Sequence, residues 1–301
     1  MRDYSVYGLT VRSPFPLPEL RAADAAGDPD VLLRRESLDP VPPGTGAAGP
    51  DRRIDAEPGR CRLTYEGVGT FLVTDGERVL VDPVGPDGTS TPVCRRLLEG
   101  QVLGVVCHQR GDLVLHGSAV GVDGDAVVFL GSSGTGKSTM AAACYGAGYR
   151  LLDDDVVVLR FTDGEPTISP GVPQLKLDPE TAATLGIDTV SDGGIDAFDG
   201  KVFHRTGADD PVGASPLKRC YILTDGDSVA IEPVPARRQL IELVLATYTA
   251  GLLSETDATS RNFEACSAVL ERATVERLVR PVDHDALPDA VEAVVSALDT
   301  G

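Results

Sequence analysis

The sequence predicts an α/β fold, and three observations predict it. Val127-Val-Phe-Leu130 reads as a buried strand, and Gly131-Ser-Ser-Gly-Thr-Gly-Lys-Ser138 as a glycine-rich turn. Residues 137–147, with Met140, Ala141, Ala142 and Ala143, read as a helix. A further apolar run, Val156-Val-Val-Leu159, follows as a second buried strand. Strand, turn, helix and strand in that order predict a right-handed crossover on a covered sheet.

From the N-terminus, residues 4–12 alternate loosely and then meet Pro14, Pro16 and Pro18, which predicts one strand ending in an extended loop. Residues 39–59 are rich in Pro, Gly and Ala, with too few apolar groups to pack, so a long surface loop is expected. Residues 60–65, 69–74 and 78–82 are separated by turn residues and predict short antiparallel strands. Residues 1–92 are therefore expected to form a small, mainly β region, and residues 93–301 a second domain built around the glycine-rich turn.

In that second part, Leu97, Leu98, Val102, Leu103, Val105 and Val106 predict a helix over residues 93–110, weakened at Gly100 and Gly104. Residues 112–120 and 125–130 flank Gly121-Val-Asp-Gly124, a hairpin signal. Beyond the Val156 run, strands are expected near residues 167–169, 202–204 and 219–223. Helices are expected over residues 179–185, 236–247, 262–279 and 287–298.

Composition narrows the partners. The 301 residues carry 27 Lys and Arg against 46 Asp and Glu, a formal charge of −19 that argues against nonspecific nucleic-acid binding. Only Lys137, Lys176, Lys201 and Lys218 are lysines. Such a surface suits a salty cytoplasm, where a Debye length of about 3 Å at 1 M salt screens self-repulsion. No run approaches the roughly 18 apolar residues of a membrane helix, and Met-Arg-Asp-Tyr-Ser lacks the apolar core of a signal peptide. A cytoplasmic location is expected. Cys61, Cys94, Cys107, Cys144, Cys220 and Cys266 are scattered without Cys-x-x-Cys spacing, so reduced, mostly buried thiols are expected rather than zinc ligands or disulfides.

The chemistry is expected at the glycine-rich turn. Gly-x-x-x-x-Gly-Lys-Ser at Gly131 to Ser138 is the spacing of a phosphate-binding loop between a strand and a helix. Gly131, Ser132, Ser133, Gly134, Thr135 and Gly136 would turn backbone N–H groups toward phosphate oxygens, with Thr139 at the helix start. Lys137 would pair with the outer phosphates of ATP and the Ser138 hydroxyl would hold Mg2+. Asp153-Asp154-Asp155 lies between that helix and the strand beginning at Val156, and the short distance from Lys137 puts the acidic pair on this next strand. Beside such a loop, one carboxylate can hold Mg2+ and another can accept the proton of an incoming hydroxyl. A plain exposed acidic turn is the alternative.

Leu115-His-Gly-Ser-Ala-Val120, the loop itself and Gly148-Tyr-Arg-Leu-Leu-Asp-Asp-Asp155 together resemble the catalytic domain of HPr serine kinase/phosphorylase, whose fold is related to phosphoenolpyruvate carboxykinase. The resemblance covers about residues 110–160. It implies a P-loop kinase domain over residues 93–301, with C-terminal helices. It also implies that Asp154 and Asp155 are the catalytic and metal-binding pair, and that His116 lies beside the phosphates. The alternative for His116 is a core histidine bonded to backbone.

Thr139 stands where that family has an acidic residue, and its Arg-rich C-terminal segment has no counterpart. The sequence looks closer to the divergent HPr-kinase-like group, some of whose members sit beside peptide-modifying genes and phosphorylate a serine of a precursor peptide, such as a lasso peptide. Lys176, Lys201 and Arg205 are further cations that could reach a phosphate; a surface role is the alternative for each.

The expected function is a Mg-ATP-dependent kinase acting on a serine hydroxyl of a protein or peptide, with self-association into a homo-oligomer an open question. A small hydroxyl-bearing metabolite as acceptor, or a nucleotide-binding regulatory module with little turnover, are the alternatives.

Overall fold

The computed structural model describes residues 1–24, 27–44, 48–49, 52–85, 87–188, 200–207 and 213–298. The first strands are β1 (Arg2–Val6), β2 (Leu9–Ser13), β3 (Arg21–Ala22), β4 (Val31–Arg35), β5 (Ala48–Gly49), β6 (Arg52–Glu57), β7 (Arg60–Tyr65), β8 (Gly69–Thr74) and β9 (Arg78–Pro83). They form one nine-stranded sheet in the order β3-β1-β2-β4-β9-β8-β7-β6-β5.

Two expectations change here. Residues 4–12 are not one strand but a hairpin, because Tyr7 and Gly8 take φ of 55° and 70° and turn the chain between Val6 and Leu9. Within the expected loop 39–59, Arg52–Glu57 is a strand laid antiparallel on β7, with Ile54 as its buried residue. Residues 45–47, 50 and 51 of that stretch lie outside the described residues.

Helix α1 (Pro92–Leu97) is capped by the Thr91 hydroxyl accepting from the Cys94 N–H, with Pro92 at its first position. It runs through a π turn at Leu98–Val102 into α2 (Leu103–Gln109), so the weakening expected at Gly100 takes the form of an inserted residue rather than a break.

The second sheet holds β10 (Leu113–Val122), β11 (Asp125–Leu130), β12 (Arg150–Thr162), β13 (Glu165–Ile168), β16 (Ser215–Asp225), β17 (Ala230–Pro233) and β18 (Thr274–Arg280). Strands β14 (Gln174–Leu177) and β15 (Val202–Arg205) pair separately. Its order is β11-β10-β12-β13-β16-β18-β17, and β11 also pairs in parallel with β16. Strands β11 and β12, joined through α3 (Lys137–Gly146), are thus not neighbours, since β10 lies antiparallel between them.

The remaining helices are α4 (Pro179–Thr184), α5 (Ala236–Leu245), α6 (Thr259–Leu270) and α7 (Leu287–Leu298). The helix expected over residues 262–279 stops at Leu270, and Thr274–Arg280 is a strand parallel to β16. Val275 and Leu278 sit three apart, which also fits a helix, but pairing beside β16 decides their state.

Both faces of the sheet are covered. Val127, Phe129, Tyr221 and Leu223 pack with α3 and α7, whereas Val128, Leu130, Cys220 and Ile222 pack with α5 and α6. A third core joins the nine-stranded sheet to α2, Val114, Val156 and Val158. All six cysteines are buried and unpaired. No helix among the described residues is long and apolar enough to cross a membrane.

Candidate active site

Strand β11 ends at Leu130 and delivers the chain into the glycine-rich loop, from which α3 departs at Lys137. Gly136 caps that helix with φ of 88° and no side-chain hydrogen bond, so the first N–H groups of α3 are left for an outside acceptor. Lys137 is buried and donates from Nζ to the carbonyls of Gly131 (2.9 Å) and Ser132 (3.0 Å). Burial pulls its ammonium pKa down, and the Asp155 and Asp154 carboxylates oppose that. Ser132, Ser133 and Gly134 are exposed at the loop tip, and Thr135 Oγ1 donates to the Ser132 carbonyl at 3.0 Å. Thr139 is half-buried in the first turn of α3.

The three aspartates are not the exposed acidic turn of the alternative reading. They lie inside β12, where Ser118, Gly117 and His116 of β10 face Asp154, Asp155 and Val156. Neighbours in a regular strand point to opposite faces, yet all three carboxylates line one cavity. The register shift between Ala119 and Val120, and φ of 108° at Asp155, mark where the strand departs from regularity.

Each carboxylate has a different setting. Asp153 is buried and accepts from the backbone N–H of Val156 and of Val172, both at 2.9 Å. Burial holds its pKa well above the usual carboxylate range, which those two bonds only partly offset. Asp154 accepts from Ser118 Oγ at 2.6 Å and from the Lys176 backbone N–H at 2.8 Å. Burial raises its pKa, and these donors pull it back.

Asp155 is the accessible member, its side chain 41% exposed, and its Oδ1 lies 3.1 Å from His116 Nδ1. Burial pushes its carboxyl up, but the hydrogen bond and charge of His116, with Lys176 and Lys201, bring it below the usual range. The His116 ring in turn lies 6.1 Å from that of Tyr248, centroid to centroid.

The expected residues therefore converge from three elements: Lys137 and Ser138 from the loop and α3, His116 from β10, Asp154 and Asp155 from β12. Lys176 and Lys201 join by charge. Arg205 does not; it is exposed and donates to the Pro18 carbonyl. Sequence reasoning missed Ser118, although it stands inside the stretch quoted around His116. It also missed Arg280 at the end of β18, a buried residue whose Nη2 donates to the Thr135 carbonyl at 3.3 Å. Nothing local marks Arg280, which is 145 residues from its partner.

A cavity of about 460 Å3 opens beside the carboxylates, walled by the nine-stranded sheet, the π turn and β14. Among the described residues no cluster of three or more His, Cys, Asp or Glu could hold a metal ion. A cation here would rest on Asp154 and Ser138 together with oxygens of a bound phosphate, the sparing protein ligation that Mg2+ tolerates.

No family model matches the chain, and no curated protein sequence matches it. Among solved structures it is similar to the Hpr(Ser) kinase/phosphatase from Coxiella burnetii, at 12% identity and a TM-score of 0.32, over 62% of this chain and 97% of that one. A similarity of that size does not establish an activity for this chain.

Proposed function

We propose that this chain is a phosphotransferase that moves the terminal phosphoryl group of Mg-ATP to a hydroxyl oxygen. The observation that carries the reading is a glycine-rich loop whose buried Lys137 lies within the electrostatic reach of Asp154 and Asp155, carboxylate residues that line one cavity. An open helix N-terminus and a lysine folded onto the loop's own carbonyls suit an incoming phosphate chain, which would draw Nζ off those carbonyls. Asp154 and Ser138 would hold Mg2+, which when bound neutralises charge between the phosphates.

In the transfer, the acceptor oxygen bonds to the terminal phosphorus as the bond to the ADP oxygen breaks, and the acceptor's proton passes to Asp155. Asp155 is preferred over Asp154 as proton acceptor because Asp154 is already engaged by Ser118 and the Lys176 N–H, whereas Asp155 stands accessible with His116 orienting it. Lys137 and the loop amides stabilise the charge that spreads over the transferred group. Residues 93–301 would supply this machinery, in the cytoplasm, and residues 1–92 a wall of the acceptor site.

The resemblance to HPr serine kinases points to a serine of a protein or peptide as acceptor. The cavity supports a second reading, a small hydroxyl-bearing molecule. The test is transfer from γ-labelled ATP with Mg2+, with Lys137→Ala as control. Nucleotide binding by the wild type and its loss in Lys137→Ala are expected. Equal binding by both would overturn the loop assignment, and binding with no transfer to any acceptor would leave a regulatory module.

A further inference from the structure

The cavity beside Asp155 has features that phosphoryl transfer alone does not require. One wall is the π turn Leu98–Val102, an inserted residue that exposes helix backbone and is common at functional sites. It brings Glu99, Gly100 and Gln101 to the cavity. Glu99 is 2% exposed, and its Oε1 has no hydrogen-bond partner. A buried oxygen in that state costs free energy unless something binds it.

Gln101 Oε1 receives the Arg52 guanidinium at 3.1 Å and the Tyr65 hydroxyl, so the polar floor is tied together. The Arg96 guanidinium lies 4.6 Å over the Phe203 ring, both at the cavity's edge. Tyr7, Leu97, Val156, Val172 and Tyr248 supply the apolar lining. About 460 Å3 lies in the range of pockets that hold one small ligand.

Building on the kinase reading, we propose that this cavity is the acceptor site, and that the acceptor is a small molecule with a hydroxyl, an apolar body and an acidic group. The hydroxyl faces Asp155, the body lies on Tyr248 and Phe203, and the acidic group meets Arg52 and Arg96. The lining favours an anion. Burial and the neighbouring Glu19 carboxylate push the Glu99 pKa up. The Arg52 and Arg96 guanidiniums and Lys176 stand on the cavity wall and bring positive charge to it. A protonated Glu99 can share its oxygen with the ligand's polar group.

Gly100 offers a specific block. A Cβ placed there meets only Val156 Cγ2, at 4.0 Å, so a longer side chain at this position has open space to occupy. The experiment offers the full-length protein, with γ-labelled ATP and Mg2+, host extract split at about 1 kDa, the small fraction split again on an anion exchanger. The wild type is compared with Gly100→Leu and Val93→Trp, two independent fillings, and binding of a fluorescent ADP analogue reports that each variant is folded.

Label in the small, anion-retained fraction, reduced about tenfold or more by either filling with ADP still bound, is the expected result. Label confined to macromolecules, or small-molecule label that neither filling reduces, overturns the cavity assignment while the kinase reading stands. Label only in the unretained small fraction overturns the acidic group. No transfer to any fraction by a wild type that binds ADP removes the kinase reading, and this inference falls with it.

Discussion

Gly136 is the position where the loop has least room, and replacing it by alanine tests how Arg280 holds the loop. The residue has φ of 88°, and a Cβ there would lie 2.1 Å from Arg280 Nη2. A left-handed alanine costs about 1–2 kcal/mol. The guanidinium must also move, losing its bonds to the Thr135 and Pro281 carbonyls, and hydrogen bonds from a charged group are worth roughly 1.5–3 kcal/mol.

Gly136→Ala should therefore lower stability by about 3–5 kcal/mol in the wild-type background, but by only about 1–2 kcal/mol where Arg280→Ala has already removed the obstruction. Urea unfolding followed by circular dichroism is the assay, since the chain has no tryptophan to report by fluorescence. The same cost in both backgrounds, within about 0.5 kcal/mol, would refute the contact between the guanidinium and the loop.

Two further outcomes are expected. Asp154→Asn should keep nucleotide binding and lose most transfer, because the loop is untouched while the oxygens that bond Ser118 and the Lys176 N–H change character; full activity measured with γ-labelled ATP would exclude Asp154 from the chemistry. His108 is buried between Thr249 and Thr256, and burial brings its pKa down to about 4. Its folded pKa lies below the unfolded value, so its contribution is complete above about pH 6.5 and is lost as pH falls toward 4, by up to about 1.4 kcal/mol per pH unit. His108→Gln should flatten that part of the urea-derived stability curve relative to wild type; an unchanged slope would show that His108 is not buried neutral.

The parts of the site legible in the sequence are those in which chemistry and geometry share one short stretch. Gly131 to Ser138 carries its own turn residues, and its neighbours announce the strand and helix on either side. The surroundings of the aspartates are not legible, for the opposite reason. Three adjacent carboxylates look like a solvated turn unless one knows that Ser118, the Val172 N–H and the Lys176 N–H will arrive from other strands to satisfy them. Residues 274–280 were assigned to a helix because Val275 and Leu278 fit either period, and only β16 beside them resolves the choice. Arg52–Glu57 was hidden by its Pro- and Gly-rich surroundings, since one buried Ile54 is a weak signal of a strand. Glu99 and Gln101 carried no signal at all, because an inserted helical residue leaves no periodic trace in so short a window.

The third core has a practical consequence for anyone cutting or exchanging parts of this protein. Val11, Val31, Val79 and Val81 of the nine-stranded sheet share a single apolar cluster with Val114, Val156 and Val158, within a few residues of His116 and Asp155. A fragment starting near residue 92 would bare that cluster to water and invite aggregation. A chimaera that borrows the first sheet from elsewhere would have to bring matching apolar surface with it, so the cavity wall and the support beneath the carboxylates are inherited as one piece.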